Sequence, residues 1–257
     1  MTNGSSTALL VEDDAAILSL LERYLERAEF LVRATRVALR TVIEFPHMQA
    51  VESQLLRPWN SLKGGSENDP LGSSVWTSVR GWIRDSSSPD GLVTLINRIQ
   101  SLTGSLADRL SSDSLRVTHS LRTPPQIFRE PSQALQYLEE LAIPLWAWAG
   151  IISQSLHRGH SHRFLKIGRS LERIWQSRHL LTLVAHSGQD FSLAETQVLL
   201  EFALDVAESS RIYRRRYQTR MEQAAVLDLI LADLENPRAV AYQLQQLHQR
   251  RRRLRRP

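Results

Sequence analysis

The pentapeptide Arg23-Tyr24-Leu25-Glu26-Arg27 recurs as Arg169-Ser170-Leu171-Glu172-Arg173, so both copies read R-x-L-E-R, 146 residues apart. A second signal follows each copy at nearly the same distance. Asp85-Ser86-Ser87-Ser88-Pro89 begins 59 residues after Glu26, and Asp233-Leu234-Glu235-Asn236-Pro237 begins 61 after Glu172. Two features repeating at nearly one offset predict a duplicated unit. On a helix, residues three and four apart share a face, which groups Arg23 with Glu26 and Arg27, and Arg169 with Glu172 and Arg173.

The surroundings of the motifs read as helix. Ile17, Leu21, Leu25, Ala28, Val32, Leu39 and Val42 recur at three- and four-residue spacing, predicting a helix from Asp13 or Asp14 to about Glu44, ended by Pro46. Residues 1–12 read as a disordered leader. Glycine and proline are sparse, 11 and 10 in 257 residues, while Leu, Ala, Arg, Glu and Gln run on without breakers, as helices require. The fold class is therefore all-α, a multi-helix bundle of two pseudo-repeats.

Further helices follow along the chain. One is expected over Gln49–Leu62, interrupted at Pro58, before a loop at Lys63–Pro70. Another carries Val75, Val79 and Ile83. Ser88-Pro89 and Asn236-Pro237 each read as an N-cap followed by proline in the first turn. Between these lie helices over Ser111–Arg122, past Pro131 with a kink at Pro144, over Arg163–His186, and over Ala224–Leu231. Ser192-Leu193-Ala194-Glu195 is a capping box opening a helix to about Ser209. Thr123-Pro124-Pro125 marks the junction of half-repeats at about 13–122 and 126–249. The halves form one domain, because each alone would expose an apolar face. Residues 250–257 read as a basic tail.

Charge and composition exclude several functions. The net charge is +5, yet residues 250–256 alone hold six arginines. The near-neutral body lacks the basic face of a nucleic-acid binder, so nucleic acid is not an expected partner. The tail reads as solvated, with RNA, an acidic partner or a membrane surface as alternatives. With no cysteine there is no thiolate nucleophile, disulfide or Cys-ligated zinc. The N-terminus has acids at Glu12, Asp13 and Asp14 and no basic region, unlike a secretory signal. The stretch from Leu141 to Arg158 is too short to span a bilayer and contains Pro144 and Gly150. A cytoplasmic protein without membrane contact is expected.

Ala8–Asp14 resembles the first strand and acidic cluster of a receiver domain. The phosphoacceptor such a domain needs is missing, because no Asp occurs between Ala15 and Asn68. His157, His160 and His162 have metal-like spacing but no nearby carboxylate, and read as surface residues. No Walker loop, Rossmann fingerprint, H-E-x-x-H or nucleophile elbow is present. Neither metal nor cofactor is expected, and no catalytic residue is assigned.

Two sets of candidate site residues remain. If the halves pack about a pseudo-twofold axis, Arg23, Glu26 and Arg27 face Arg169, Glu172 and Arg173 in a partly buried charge network, with Asp85 and Asp233 as further acceptors. A ligand-binding cleft at the same place is the alternative. The second set is Arg211, Arg214, Arg215 and Arg216 with Tyr213 and Tyr217, which would suit a phosphate or an acidic peptide. Arginines that snorkel or pair on an amphipathic helix are the other reading.

An ordered set of stretches carries a family resemblance: Arg23–Glu29, Leu106–Ser111, Arg163–Arg173, Ser210–Tyr217 and Leu227–Val240. The chain resembles the bacterial alpha-E family of helical domains with a Glu-Arg motif. It departs from the family pattern at Glu22, where a glycine usually precedes the first motif, and at His162, where a tryptophan is common. Family members look like companions of a circularly permuted ATP-grasp peptide ligase, encoded beside it or fused to it, with transglutaminase-like peptidases as frequent neighbours. The resemblance implies a non-catalytic helical partner that binds the ligase, another product of the same operon, or the ligase's peptide. The alternative is an enzyme of the same pathway, with Glu26 or Glu172 as acid/base and arginines orienting a carboxylate substrate.

Overall fold

The computed structural model describes residues 4–55, 74–124, 128–155, 159–188, 191–217 and 220–254. Among these residues there are helices and turns and no strand. Helix α1, Gly4–Glu44, runs through the centre of the molecule. From Ala28 to Thr35 every residue is buried, including Glu29 and Arg33. Its middle is thus enclosed on all sides, while the turns before and after it include exposed residues such as Ala16, Leu20 and Arg40. The helix begins at Gly4, ahead of the expected start at Asp13, so residues 4–12 continue α1 where a disordered leader was expected. Its last turn closes with the Phe45 amide donating to the Thr41 carbonyl (2.8 Å), next to Pro46.

Helix α2, Gln49–Leu55, buries Val51 and Leu55. The remainder of the expected Gln49–Leu62 helix and the Lys63–Pro70 loop lie outside the described residues. Helix α3, Val75–Arg84, is capped by the Ser74 hydroxyl and buries Val75, Val79, Trp82 and Ile83. Helix α4, Leu92–Ser105, starts later than a Ser88-Pro89 cap would place it. The reason is Asp85, whose Oδ1 accepts from the Ser87 and Ser88 amides (2.8 and 3.0 Å) and folds Ser88-Pro89 into a turn. A Cβ at Gly91, the N-cap of α4, would lie 2.0 Å from the Asp85 carbonyl oxygen, so this turn requires glycine. Helices α5, Ser112–His119, and α6, Pro131–Ser155, follow, and α6 runs on past Pro144.

Helix α7, His160–His186, carries the second motif. Helix α8, Leu193–Val206, opens with the expected capping box. Beyond it Glu208 adopts a left-handed backbone (φ 52°), and the Ser209 amide donates to the Leu204 carbonyl (2.8 Å), closing the helix end. Helix α9 spans Ser210–Tyr217. Helix α10, Gln223–Leu227, widens into a π turn at Asp228–Ala232. Helix α11, Val240–Leu254, begins after Asn236-Pro237 and continues into the segment expected to be a tail. Asn236 is buried in the connecting turn, where its amide donates to Ser209 Oγ and the Leu229 carbonyl.

α1 and α7 form the central pair. Ser19 meets Gly168, Arg23 meets Glu172, and Glu26 meets Arg173, so partners advance together along both helices. The two therefore run parallel. A Cβ on Gly168 would sit 2.4 Å from the Ser19 carbonyl oxygen, which shows how closely the backbones approach. Antiparallel neighbours flank them. On α1, Arg27 meets Asp90 in the turn before α4 and Tyr24 meets Arg98 within α4, while Glu22 meets Trp148 of α6. On α7, Arg250 of α11 reaches Lys166 and Ser170. Val75–Arg84 and Gln223–Ala232 begin and end 148 residues apart, and Leu92 and Val240 start α4 and α11 at that same interval. Trp148, Phe128, Phe202 and Tyr213 are among the largest fully buried side chains, each stabilising by about 1.5–3 kcal/mol on burial.

Candidate functional site

Where α1 and α7 cross the core, their charged faces meet. The pairing is reciprocal. Arg27 Nε donates to Glu172 Oε1 (2.6 Å) and its Nη2 to Oε2 (3.1 Å). Arg173 Nε donates to Glu26 Oε1 (2.7 Å) and its Nη2 to Oε2 (3.0 Å). Arg23 lies 3.4 Å from Glu172, and Arg169 lies 3.7 Å from Glu26. Each motif thus supplies a carboxylate to the arginines of the other. These are bidentate, charge-assisted pairs, stronger than neutral hydrogen bonds.

The network extends beyond the two motifs. Glu22 accepts from Arg169 and from the Trp148 indole N–H (3.1 Å). Arg238 donates to Glu26 (3.0 Å), Glu29 (3.1 Å) and Glu208. Arg33 pairs with Glu29 (2.9 Å), and its Nε caps the end of α8 through the Val206 carbonyl (2.8 Å). Arg27 also donates to Asp90 (2.6 Å) and lies 5.1 Å over the Trp175 ring. Six arginines (23, 27, 33, 169, 173, 238) meet six carboxylates (Glu22, Glu26, Glu29, Glu172, Glu208 and Asp90), so the charges balance.

Burial divides the two signs. The Glu172 and Glu26 side chains are 0% and 2% exposed, while Arg27, Arg169, Arg173 and Arg238 retain 14–17%. The carboxylates are sealed inside, and the guanidiniums reach them from a partly wetted edge. Burial alone would raise Glu26. The charges of Arg173 and Arg238, the Arg173 hydrogen bond and the charge of Arg169 outweigh it and bring the carboxyl down to about 2. Arg238 is correspondingly raised by Glu26, Glu29 and Glu208 against its own burial.

Several candidate residues sit elsewhere than expected. Asp85 and Asp233 shape the turns after α3 and after the π turn. Asp233 Oδ1 accepts from the Glu235 and Asn236 amides (2.7 and 3.1 Å), as Asp85 does from Ser87 and Ser88. The network members from those turns are Asp90 and Arg238, each the residue directly after the proline of the repeated signal. The Arg211–Tyr217 set divides among buried, paired and exposed positions. Tyr213 is buried, with its hydroxyl accepting from the Glu222 amide (2.8 Å). Arg214 pairs with Glu201, Arg216 pairs with Asp233, and Arg211 and Arg215 are exposed. Two of the four arginines thus meet acids of neighbouring elements. Of the three histidines, His157 lies outside the described residues and His162 lines a cavity beside Lys166. Among the described residues no group of three or more His, Cys, Asp or Glu is placed to hold a metal, and no helix is long and apolar enough to cross a membrane.

A groove of about 440 Å³ opens beside the network between α1, α6 and α8. Arg36 and Arg40 line it with Phe45, Trp146 and Phe202. Arg36 lies 5.6 Å over the Trp146 ring, and both Arg36 and Arg40 approach Glu139. Trp146 is 46% exposed, and Ile143 on the same helix is 62% exposed.

These features define an all-helical domain held at its centre by reciprocal Glu–Arg pairs. The Alpha-E family, a predicted alpha-helical domain with a conserved ER motif, matches residues 20–257, and the chain belongs to it. It is 27% identical over 255 residues to uncharacterized proteins of Mycobacterium tuberculosis (strain ATCC 25618 / H37Rv) and of Mycobacterium bovis (strain ATCC BAA-935 / AF2122/97). Each match covers 88% of this chain and 28% of the relative's length. No solved structure matches this chain.

Proposed function

We propose that the chain is a non-catalytic helical partner in a cytoplasmic ligase system of the circularly permuted ATP-grasp type, binding the ligase or its peptide substrate. The observation that carries the non-catalytic part is the saturation of the motif. Glu26 accepts from two nitrogens of Arg173 and from Arg238, and Glu172 from two nitrogens of Arg27 and from Arg23. A general base at neutral pH works best with a value near 7, whereas Glu26 is held at about 2. Acid/base chemistry at the motif is therefore disfavoured, and its role is to hold α1 and α7 in register.

Our reading also takes the chain as a duplicated unit. The reciprocal motif pairs support it, as do the matched Asp85 and Asp233 turns and the 148-residue interval between helices. With the motif closed, the groove beside Trp146 and Ile143 is the surface for the partner, since it offers exposed aromatic and aliphatic area beside arginines. The relatives are much longer than this segment, which fits a domain that works beside others. The test is co-expression of the tagged chain with a circularly permuted ATP-grasp ligase from the same organism. Copurification that is lost in Trp146→Ala, with the fold intact by circular dichroism, is expected. Failure of the unaltered chain to retain the ligase would overturn the proposal.

A further inference from the structure

Two guanidiniums on the wall of the groove between α1, α6 and α8 share a single acid. Arg40 donates to Glu139, while the Arg36 guanidinium lies 3.6 Å from the same carboxylate, too far for a hydrogen bond. Among the described residues no second acid forms an ion pair with either of them. Arg33, the third arginine of this wall, is already paired with Glu29. The shortfall falls on Arg36. Its side chain is 15% exposed, and its Nε is buried with no hydrogen-bond partner among the described residues. A buried donor left unpaired is costly, and folded proteins keep few of them. Burial and the neighbouring Arg40 charge push Arg36 below its usual range against the pull of Glu139. The central network differs, since its six arginines meet six carboxylates.

We propose that the groove holds the carboxylate end of a short peptide with an apolar last residue, its carboxylate seated on Arg36 and Arg40. The inference rests on the groove being the partner surface, and it assigns that surface to the peptide instead of the ligase. A carboxylate accepts charge-assisted bonds from guanidinium N–H groups and gives two arginines a second acid. The rest of the wall decides what the carboxylate is attached to. Val37, Phe45, Trp146 and Phe202 offer apolar surface beside the arginines, and Arg36 already lies 5.6 Å over the Trp146 ring. Glu44, Glu201, Asp205 and Glu208 line the same groove, so a polyanion is disfavoured there. Those carboxylates are acceptors and suit amide N–H groups or an amino terminus, which a simple carboxylic acid lacks. The volume, about 440 Å³, is in the range of small-ligand pockets. Its lining follows α1 from Arg33 to Glu44, about 16 Å of helix, and three extended peptide residues span about 10 Å.

Titration calorimetry of the full chain at pH 7 with the tripeptides Ala-Ala-Leu, Ala-Ala-Phe and Ala-Ala-Val tests the assignment. Saturable one-to-one binding of at least one of them is expected, weakened roughly tenfold by C-terminal amidation and similarly by Arg36→Gln. Arg116 on α5 is 79% exposed and does not line the groove, so Arg116→Gln should stay within about twofold. Isocaproic acid, a carboxylate on an apolar stem without peptide groups, and citrate should each bind roughly tenfold more weakly than the best tripeptide. No saturable tripeptide binding, or binding unchanged by amidation, would overturn the inference. Isocaproic acid binding as tightly as the tripeptides would overturn the peptide as occupant, and tighter binding of citrate would overturn recognition of a single carboxylate. Unfolding midpoints within a few degrees of the parent confirm that the variants are folded, and Arg40→Gln, at a 53% exposed side chain, stands in if Arg36→Gln is not. Tripeptides that fail while the ligase still copurifies overturn this inference alone. Tripeptides that bind while the ligase does not copurify overturn the ligase reading alone.

Discussion

Replacing Glu26 by glutamine keeps its shape and removes its charge, leaving Arg173 and Arg238 facing a neutral amide. A carboxyl held at about 2 instead of 4.5 stabilises the fold when ionised by ~3 kcal/mol. Breaking a buried ion pair from one side costs ~3–5 kcal/mol. The two routes agree, and Glu26→Gln should lower unfolding free energy at pH 7 by about 3–4 kcal/mol. The folded value is depressed, so the stabilisation is complete above about pH 4.5 and fades as pH falls towards 2. The gap between parent and variant should therefore narrow in acid. Urea unfolding followed by helical circular dichroism at pH 7, 5 and 3.5 measures both effects. A loss below 1 kcal/mol at pH 7, or a gap that does not change with pH, would refute the network as the element that locks α1 to α7.

Four further outcomes follow from packing and burial. Gly168→Ala should destabilise by ~1–3 kcal/mol, because its Cβ would press on the Ser19 backbone. Gly150→Ala on α6, with nothing within 4 Å of the added carbon, should stabilise by ~0.5–1 kcal/mol; thermal melts of both variants decide between contact and propensity. His179 is brought down to about 4 by burial and by Arg178, so stability should fall by up to ~3 kcal/mol as pH drops from 6.5 towards 4. In that window the unfolded chain takes up a proton that the folded chain refuses, and His179→Phe should flatten the slope there in a pH series of unfolding free energies. Trp148→Phe removes the indole donor to Glu22 and leaves a void, with an expected loss of ~2–4 kcal/mol in the same urea assay.

Local periodicity made the helices legible. The spacing of Ile17 through Val42 marked α1, and Ser192 with Glu195 marked the start of α8. The mutual pairing of the two motifs was legible too, since identical residues at identical helical spacing present the same face. The turns were harder. Asp85 and Asp233 stood out because they repeat, but they repeat because each folds a turn with its side chain, and the turn then presents Asp90 or Arg238. Those two residues have opposite charge, so a search for similarity between the copies passes over them. Glu22 is hidden in the same way, standing where the second copy has Gly168. Arg250 lay in a run that composition alone assigns to solvent, and only its hydrogen bonds to α7 reveal a docked helix.

The differences between the copies bear on why a charged centre is used at all. Leu18, Leu21, Leu25 and Ala28 on α1 are buried, but apolar packing is non-directional and by itself specifies register weakly. The charges specify it more sharply. A slide of one turn, about 5.4 Å, separates Arg173 from Glu26 and Arg27 from Glu172 together; the arginine one turn away, Arg169 or Arg23, replaces only one of the two lost partners, so a sealed carboxylate is stranded at a cost of several kcal/mol. The parallel, in-register pair is then favoured by the penalty on its neighbours more than by its own strength. A fully apolar replacement of Glu26, Arg173, Glu172 and Arg27 should accordingly retain much of the unfolding free energy. It should lose the single well-dispersed set of amide resonances that one register gives, and a spectrum as sharp as the parent's would show that the apolar surfaces alone suffice.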